Sequence, residues 1–201
     1  YGLTETAPFS SFLNAEWAIS KLGSAGQPPL YSDTRIVDDN NRPLPAGERG
    51  EICLRGPNIM KGYWNRPEAT AEAIDKEGWF HSGDVGYLDE DGFLFICDRI
   101  KDMVIYGGEN VYPAEVEGAL YTHDAIVEVA VIGLPDEKWG EAVTAVVVLQ
   151  EGRELSLEEL REFAEPLLAR YKLPLRLHIV EALPRNPAGK VLKFVLKEQL
   201  L

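Results

Sequence analysis

Cysteine is scarce in this chain. Its 201 residues hold two, Cys53 and Cys97, and these form no Cys-x-x-Cys pair. That excludes a disulfide framework or a zinc ribbon. Both lie in apolar runs, EICLRG and FLFICDR, and read as small core residues of a protein from a reducing compartment, so the expected location is cytoplasmic. Histidine is nearly as rare, with three in all. No second His or Cys lies at metal-ligand spacing from His81, which therefore reads as a loop or partly buried histidine. Bases are few: 20 Lys and Arg stand against 33 Asp and Glu, for a net charge of −13. The acid is spread evenly and no basic patch appears, so no nucleic-acid partner is expected. Long apolar runs are missing too. Ala142–Leu149 is broken by Thr144 and falls far short of the roughly 18–20 residues that span a bilayer, so no transmembrane segment is expected.

What remains is ordinary globular composition, 45% hydrophobic and 26% charged. From Leu30 to about Ile100, short apolar clusters alternate with turn signals at Asp39-Asn40-Asn41, Pro43 and Pro45-Ala46-Gly47. GYLDEDGFLFICD is the clearest hairpin, and PEATAEAI, opening on Pro67, the clearest helix of this half. This stretch suggests a small antiparallel β-barrel or sandwich, expected as a barrel-like subdomain within residues 1–97. After Asp98 the pattern changes. Pro113–Tyr121 starts like a helix, and Ser156–Glu159 is a capping box opening a helix to about Ala169. Ile126–Leu134, Ala142–Leu149 and Leu175–Val180 are β-branched runs, and Phe194–Leu201 is a closing helix. Residues 98–201 thus read as an α+β domain with a three-stranded sheet flanked by helices.

Five segments carry groups fit for chemistry, each with a plainer alternative. Tyr1-Gly2-Leu3-Thr4-Glu5-Thr6 offers a ring, a hydroxyl and a carboxylate, or merely an N-cap and a first-turn acid. Asp84, in Ser82-Gly83-Asp84, has a carboxylate suited to two hydroxyls of a ribose, or is a turn former. Asp98-Arg99-Ile100-Lys101-Asp102 is solvated surface or a hinge. Gly107-Gly108 allows close approach to backbone, or makes a hairpin turn. The rigid loop Pro184-Arg185-Asn186-Pro187-Ala188-Gly189 delivers one cation, Lys190, to a developing anion or to solvent. It is not a P-loop, since no Ser or Thr follows the lysine.

In this order the segments YGLTE, GERGEICLRGPNIMKGYWNRPEAT, WFHSGDVGYLDEDGFLFICDRIKDMVIYGGENVYPAEVE, DEKWGEAV and LPRNPAGK resemble the adenylate-forming superfamily over essentially the whole chain. GGENVYPAEVE and Trp139-Gly140-Glu141 resemble its acid–CoA ligase branch. The resemblance implies the C-terminal part of a ligase two to three times longer, whose N-terminal part holds the phosphate loop and most of the acid pocket. The chain's start at Tyr1, with no Met, fits that expectation. Residues 1–97 would end the large domain, and residues 98–201 would be a mobile domain with its hinge near 98–101.

The resemblance implies ATP, Mg²⁺ and CoA as ligands and a small carboxylic acid as substrate, fatty acids first and aryl acids second. It implies that Tyr1 packs on adenine, Thr4 touches a phosphate and Glu5 holds Mg²⁺. Asp84 would bind the ribose, with Arg99 beside it and Ile96 offering an apolar face to the base. Lys190 would reach the carboxylate and α-phosphate during adenylation. Lys101 would be the hinge. Gly107 and Gly108 would make room for a pantetheine arm along Trp139. For the CoA phosphates, YKLPLRL leaves only Lys172 and Arg176. An adenylating domain loading a separate carrier protein, and a non-catalytic module binding nucleotide or CoA, stand as alternatives.

Overall fold

The computed structural model describes residues Tyr1–Leu201, and these divide into two compact units, Tyr1–Ile100 and Lys101–Leu201. No helix is long and apolar enough to cross a membrane.

The first unit is built on an antiparallel sheet of four strands in sequence order: β1 (Asp33–Val37), β2 (Gly50–Arg55), β3 (Phe80–Leu88) and β4 (Leu94–Arg99). The Asp89–Phe93 turn closes the β3–β4 hairpin. There the Asp89 carboxylate accepts from the Asp91 and Phe93 amides and is paired with Lys21 at 2.7 Å. One face buries Ile36, Ile52, Leu54, Phe80 and Leu94, with Tyr1 and Leu3 packed against them. The short helix α1 (Pro67–Ala73) has proline in its first turn, where a missing N–H costs nothing.

The expected barrel does not form. β1 and β4 are the two ends of an open sheet. At the first residue of β4 the outer edge is met by the segment at Ala25–Gly26: Ala25 donates to the Leu94 carbonyl, and Leu94 donates to that of Gly26.

The second unit is α+β. Its sheet runs β6 (Glu109–Val111), β5 (Val104–Tyr106), β8 (Gly140–Leu149), β7 (Ile126–Asp136), and β9 (Arg176–Ile179) pairs with β8 in parallel. That makes five strands, not three. The additional pair is the β5–β6 hairpin, whose three-residue strands are too short to show periodicity in the sequence. Both faces of the sheet are covered. α2 (Pro113–Leu120) and α3 (Leu157–Ala164) bury Val116, Leu120, Leu160 and Ala164 against Val131, Val143, Ala145 and Val147. α4 (Lys193–Leu200) brings Leu196 against Ala130, Ile132, Leu134 and Val146 on the other. Two-sided burial explains the unbroken apolar text of β8.

α3 begins as expected, with the Ser156 hydroxyl accepting from the Glu159 amide and the Glu159 carboxylate accepting from the Ser156 amide. It ends at Ala164 rather than near Ala169. Pro166 is the cause: Glu165 keeps helical dihedrals, but the proline after it lacks the amide that would donate to the next carbonyl of the helix.

Leu120 is fully buried between α2 and the sheet. Leu120→Ala should therefore lower stability by about 2–5 kcal/mol, read from the urea midpoint of the transition that includes the second unit. A loss below about 1 kcal/mol would show that this helix does not seat the core.

Candidate active site

The first unit gathers three of the candidate residues around one carboxylate. Asp84 lies on β3 and is only 7% exposed. The Tyr1 hydroxyl donates to its Oδ2 at 2.5 Å, and the Arg99 Nε donates to its Oδ1 at 3.1 Å. Arg99 stands directly opposite Asp84 in the β3–β4 ladder, so both side chains leave the same face. Ile96 stands opposite Gly86 on β4 and is 42% exposed, which leaves an apolar surface where no facing side chain covers it.

What aims Asp84 is an irregularity between β2 and β3. Cys53 pairs with His81 and Glu51 with Val85, so Ser82, Gly83 and Asp84 stand against Ile52 alone. Such a bulge leaves backbone groups unpaired, and side chains satisfy them here. The Ser82 hydroxyl donates to the Ile52 carbonyl at 2.7 Å and accepts from the Asp84 amide at 3.0 Å. The Glu51 carboxylate accepts from the Gly83 amide at 3.0 Å. Gly83 has φ +71°, in the left-handed region that glycine enters without strain.

The opening segment is held against this face as a tight loop. The Tyr1 carbonyl accepts from the amides of Ser10 and Ser11. The buried Thr6 hydroxyl donates toward the Leu3 and Pro8 carbonyls and accepts from Leu3 N and Ser10 Oγ. A Cβ on Gly2 would meet the Pro8 carbonyl oxygen at 1.7 Å, so only glycine fits. Thr4 is exposed. Glu5 is half-buried; its Oε1 accepts from the Tyr63 hydroxyl at 3.0 Å, leaving the other oxygen available to a hard cation. Thr6, Ser82 and Tyr63 escaped sequence reasoning. They act on backbone or on another side chain, and no residue pattern marks that.

In the second unit Gly107 and Gly108 form the tip of the β5–β6 hairpin with φ of +60° and +89°. The Gly107 amide donates to the Trp139 carbonyl at 2.8 Å. A Cβ on Gly107 would come within 3.0 Å of the indole. The Tyr106 ring lies 4.9 Å from that of Trp139. Asp136 holds the Trp139 loop by accepting from the amides of Lys138 and Trp139, and its Oδ2 accepts from Arg176 at 3.2 Å. Those amides, followed by Arg176, hold the Asp136 carboxyl below its usual range. The structure thus brings Gly107, Trp139 and, through Asp136, Arg176 into one cluster.

Lys172 does not join it. Its ammonium is buried in an ion pair with Glu115 at 2.5 Å. Lys101 is exposed in a 3₁₀ turn, Ile100–Asp102, at the start of the second unit. Lys190 is also exposed and makes no ion pair, and its loop is fixed by Asn186. The Asn186 Oδ1 accepts from the amides of Ala188 and Lys190, and Arg185 donates to the Gly189 carbonyl.

His81 is partly buried, as expected, though it lies on β3 rather than in a loop. It has ligand-type neighbours that linear spacing conceals, because they come from the adjacent strand. Its Nδ1 lies 2.7 Å from Glu51 Oε2 and 3.4 Å from Cys53 Sγ. Burial pushes the Cys53 thiol up to about 12, so it carries its proton.

The chain is similar in sequence and fold to known enzymes. The AMP-binding enzyme family model matches residues 1–64, and that of the AMP-binding enzyme C-terminal domain matches residues 115–190. A feruloyl-CoA synthase from Amycolatopsis is 48% identical over 96% of this chain and 39% of its own length. A long-chain-fatty-acid–CoA ligase from Mycobacterium tuberculosis is 48% identical over 99% and 39%. The o-succinylbenzoate CoA synthetase of Bacillus subtilis, solved with its acyl-adenylate intermediate, superposes with a TM-score of 0.90 at 42% identity over 100% of this chain and 40% of that one. The same enzyme has been solved with ATP and magnesium. The chain spans about two fifths of the length of the relatives it matches.

Burial, then the Asp84 carboxylate, raises the Tyr1 hydroxyl above the usual tyrosine range. Its neutral form is the folded one. The stability it contributes is complete below roughly pH 10, the unfolded value, and is lost as pH rises toward its folded one. Phenol absorbance titration should show a late-ionising tyrosine that disappears in Tyr1→Phe. A titration curve unchanged apart from amplitude would reject this arrangement.

Proposed function

The chain belongs to the AMP-binding enzyme family, and from that premise we propose that it is the C-terminal part of an ATP-dependent acid–thiol ligase. The enzyme joins a carboxylic acid to ATP as acyl-AMP with release of diphosphate, then passes the acyl group to the CoA thiol with release of AMP. The observation that carries the reading is the buried Asp84 carboxylate, held by Tyr1 and Arg99 beside the open face of Ile96.

In this reading Asp84 accepts from the ribose hydroxyls with its remaining lone pairs, and Arg99 keeps its carboxylate oriented. Tyr1 and Ile96 provide apolar surface to adenine. Thr4 donates to a phosphate. The free oxygen of Glu5 fits a hard cation, and Mg²⁺ bound there would neutralise phosphate charge. Attack of the carboxylate on the α-phosphate brings two anions together, and Lys190 offsets that repulsion with a single ammonium. The lysine's fixed loop and lack of an ion pair suit it to that task.

Thiol transfer uses other groups. The hairpin tip at Gly107 and Gly108, with Trp139 beside it, gives a smooth wall for a slender pantetheine arm. Arg176 is the cation available to the CoA phosphates, while Lys172 would first have to leave Glu115. Lys101 is the pivot between the two half-reactions. Relatives at equal identity are named for an aryl acid and for long-chain fatty acids, which supports an apolar acid; we propose a fatty acid. The proposed location is the cytoplasm.

The two half-reactions separate these roles. In the enzyme carrying this chain, Lys190→Ala should slow acyl-AMP formation about 10²–10³-fold and spare thioester formation from supplied acyl-AMP. Lys101→Pro should do the reverse. Equal losses in both steps for either variant would defeat the assignment. We further propose that the 201 residues alone do not form acyl-AMP, since most of their relatives' length lies outside the match. Diphosphate exchange with a panel of fatty and aryl acids should give no signal above background, and turnover with any acid would overturn this.

A further inference from the structure

The face of β2 and β3 opposite Tyr1 carries a cluster that nucleotide chemistry does not use. Ile52 points toward the Tyr1 side, so its neighbours Glu51 and Cys53 point away, where His81 joins them. The carboxylate oxygen, thiol sulfur and imidazole nitrogen all lie within 4.8 Å of one another. Cys53 is fully buried, while Glu51 and His81 keep partial access to solvent.

The arrangement is over-subscribed as a set of hydrogen bonds. Both Glu51 Oε2, at 2.7 Å, and Cys53 Sγ, at 3.4 Å, address the same ring nitrogen. If Nδ1 carries a proton it can serve the carboxylate, and the thiol then finds no lone pair. If Nδ1 is bare it can accept from the thiol, and the carboxylate faces it lone pair to lone pair. One proton cannot satisfy three atoms. A cation among them can.

We propose that Glu51, Cys53 and His81 form a binding site for a thiophilic divalent metal of the zinc class. Mixed sulfur, nitrogen and oxygen ligation is what such ions take, and Mg²⁺ and Ca²⁺ do not. The surroundings match the usual outer layer of a metal-bound histidine. Asp75 Oδ2 stands 3.7 Å from His81 Nε2, on the ring nitrogen that ligation leaves free. Charge closes as well. The metal's two positive charges meet a thiolate and a carboxylate, while Asp75 is matched by Arg35 at 3.1 Å. Arg35 also faces the Cys53 sulfur, where it would favour the thiolate, and it is paired with Glu77 and stacked over Trp79. Binding displaces the Cys53 proton to solvent, and no oxidant or reductant is required. The site would pin the bulge from behind: Glu51 would ligate the metal with one oxygen and hold the Gly83 amide with the other.

The test is a titration of the reduced, metal-stripped protein with Co²⁺, followed by Zn²⁺. A sulfur-to-cobalt charge-transfer absorption should saturate at one equivalent and vanish when zinc is added. It should be lost in Cys53→Ser and His81→Asn and kept in Cys97→Ser. Zinc at about a hundredfold its dissociation constant should raise the melting midpoint by roughly 5–10 °C. Circular dichroism checks that each variant folds; if Cys53→Ser does not, Glu51→Gln and the wild-type titration decide. A folded, reduced wild type without the absorption would overturn the site and leave a histidine–carboxylate lock. So would an absorption that survives Cys53→Ser and follows Cys97. Either failure leaves the ligase reading intact, because Asp84 and Lys190 take no part in the measurement.

Discussion

A carboxylate removed from water must be met by donors, and the first unit is organised around one such group. Asp84 is nearly buried, yet its partners are a tyrosine 83 positions earlier and an arginine on the next strand. The arginine is given by the β3–β4 ladder, but the tyrosine contact requires β3 to break its register against β2 and the opening loop to fold over the sheet. The Ser82 hydroxyl and the Glu51 carboxylate supply what the broken ladder forfeits. Remove the irregularity, and the alternation of a regular strand would redirect Asp84 relative to Tyr1. The strength of the arrangement comes from mutual need, since a buried unpaired carboxylate would cost several kcal/mol.

Much of this was legible in the residues. The β3–β4 hairpin was announced by its Asp-Gly turn, α2 by Pro113 and its acids, α3 by its capping box, and β7 and β8 by β-branched runs. Those signals are local, and local signals survive tertiary context. The candidate site residues were marked by order along the chain: Tyr1, Asp84 and Arg99 do converge in one unit, and Gly107 and Trp139 in the other.

What could not be read was pairing across strands. Sheet closure depends on whether a free edge finds a strand or a loop, and the backbone around Ala25–Gly26 has no distinctive composition to say so. The β5–β6 hairpin is too short for period-two alternation. Lys172 reads as a surface cation in the sequence, but the 3₁₀ turn Arg170–Lys172 points it inward to Glu115, 57 positions away. His81 looked solitary for the same reason. Its neighbours are near in register, not in number.

The parallel pairing of β9 with β8 has a consequence for how the second unit assembles. β7 and β8 are joined by a tight turn and can zip from neighbouring residues. β9 cannot follow that way, because a parallel partner requires the chain to return along the length of β8 by a crossover that carries α3 with it. Its contacts are costly in loop entropy and are rewarded only once the rest is in place. The loop bearing Lys190 and the helix α4 lie beyond β9. The Asn186 turn is local, but the loop is tied to β7 through Arg185 and Glu128, so a chain caught incompletely folded would keep its hairpins while lacking a seated cation.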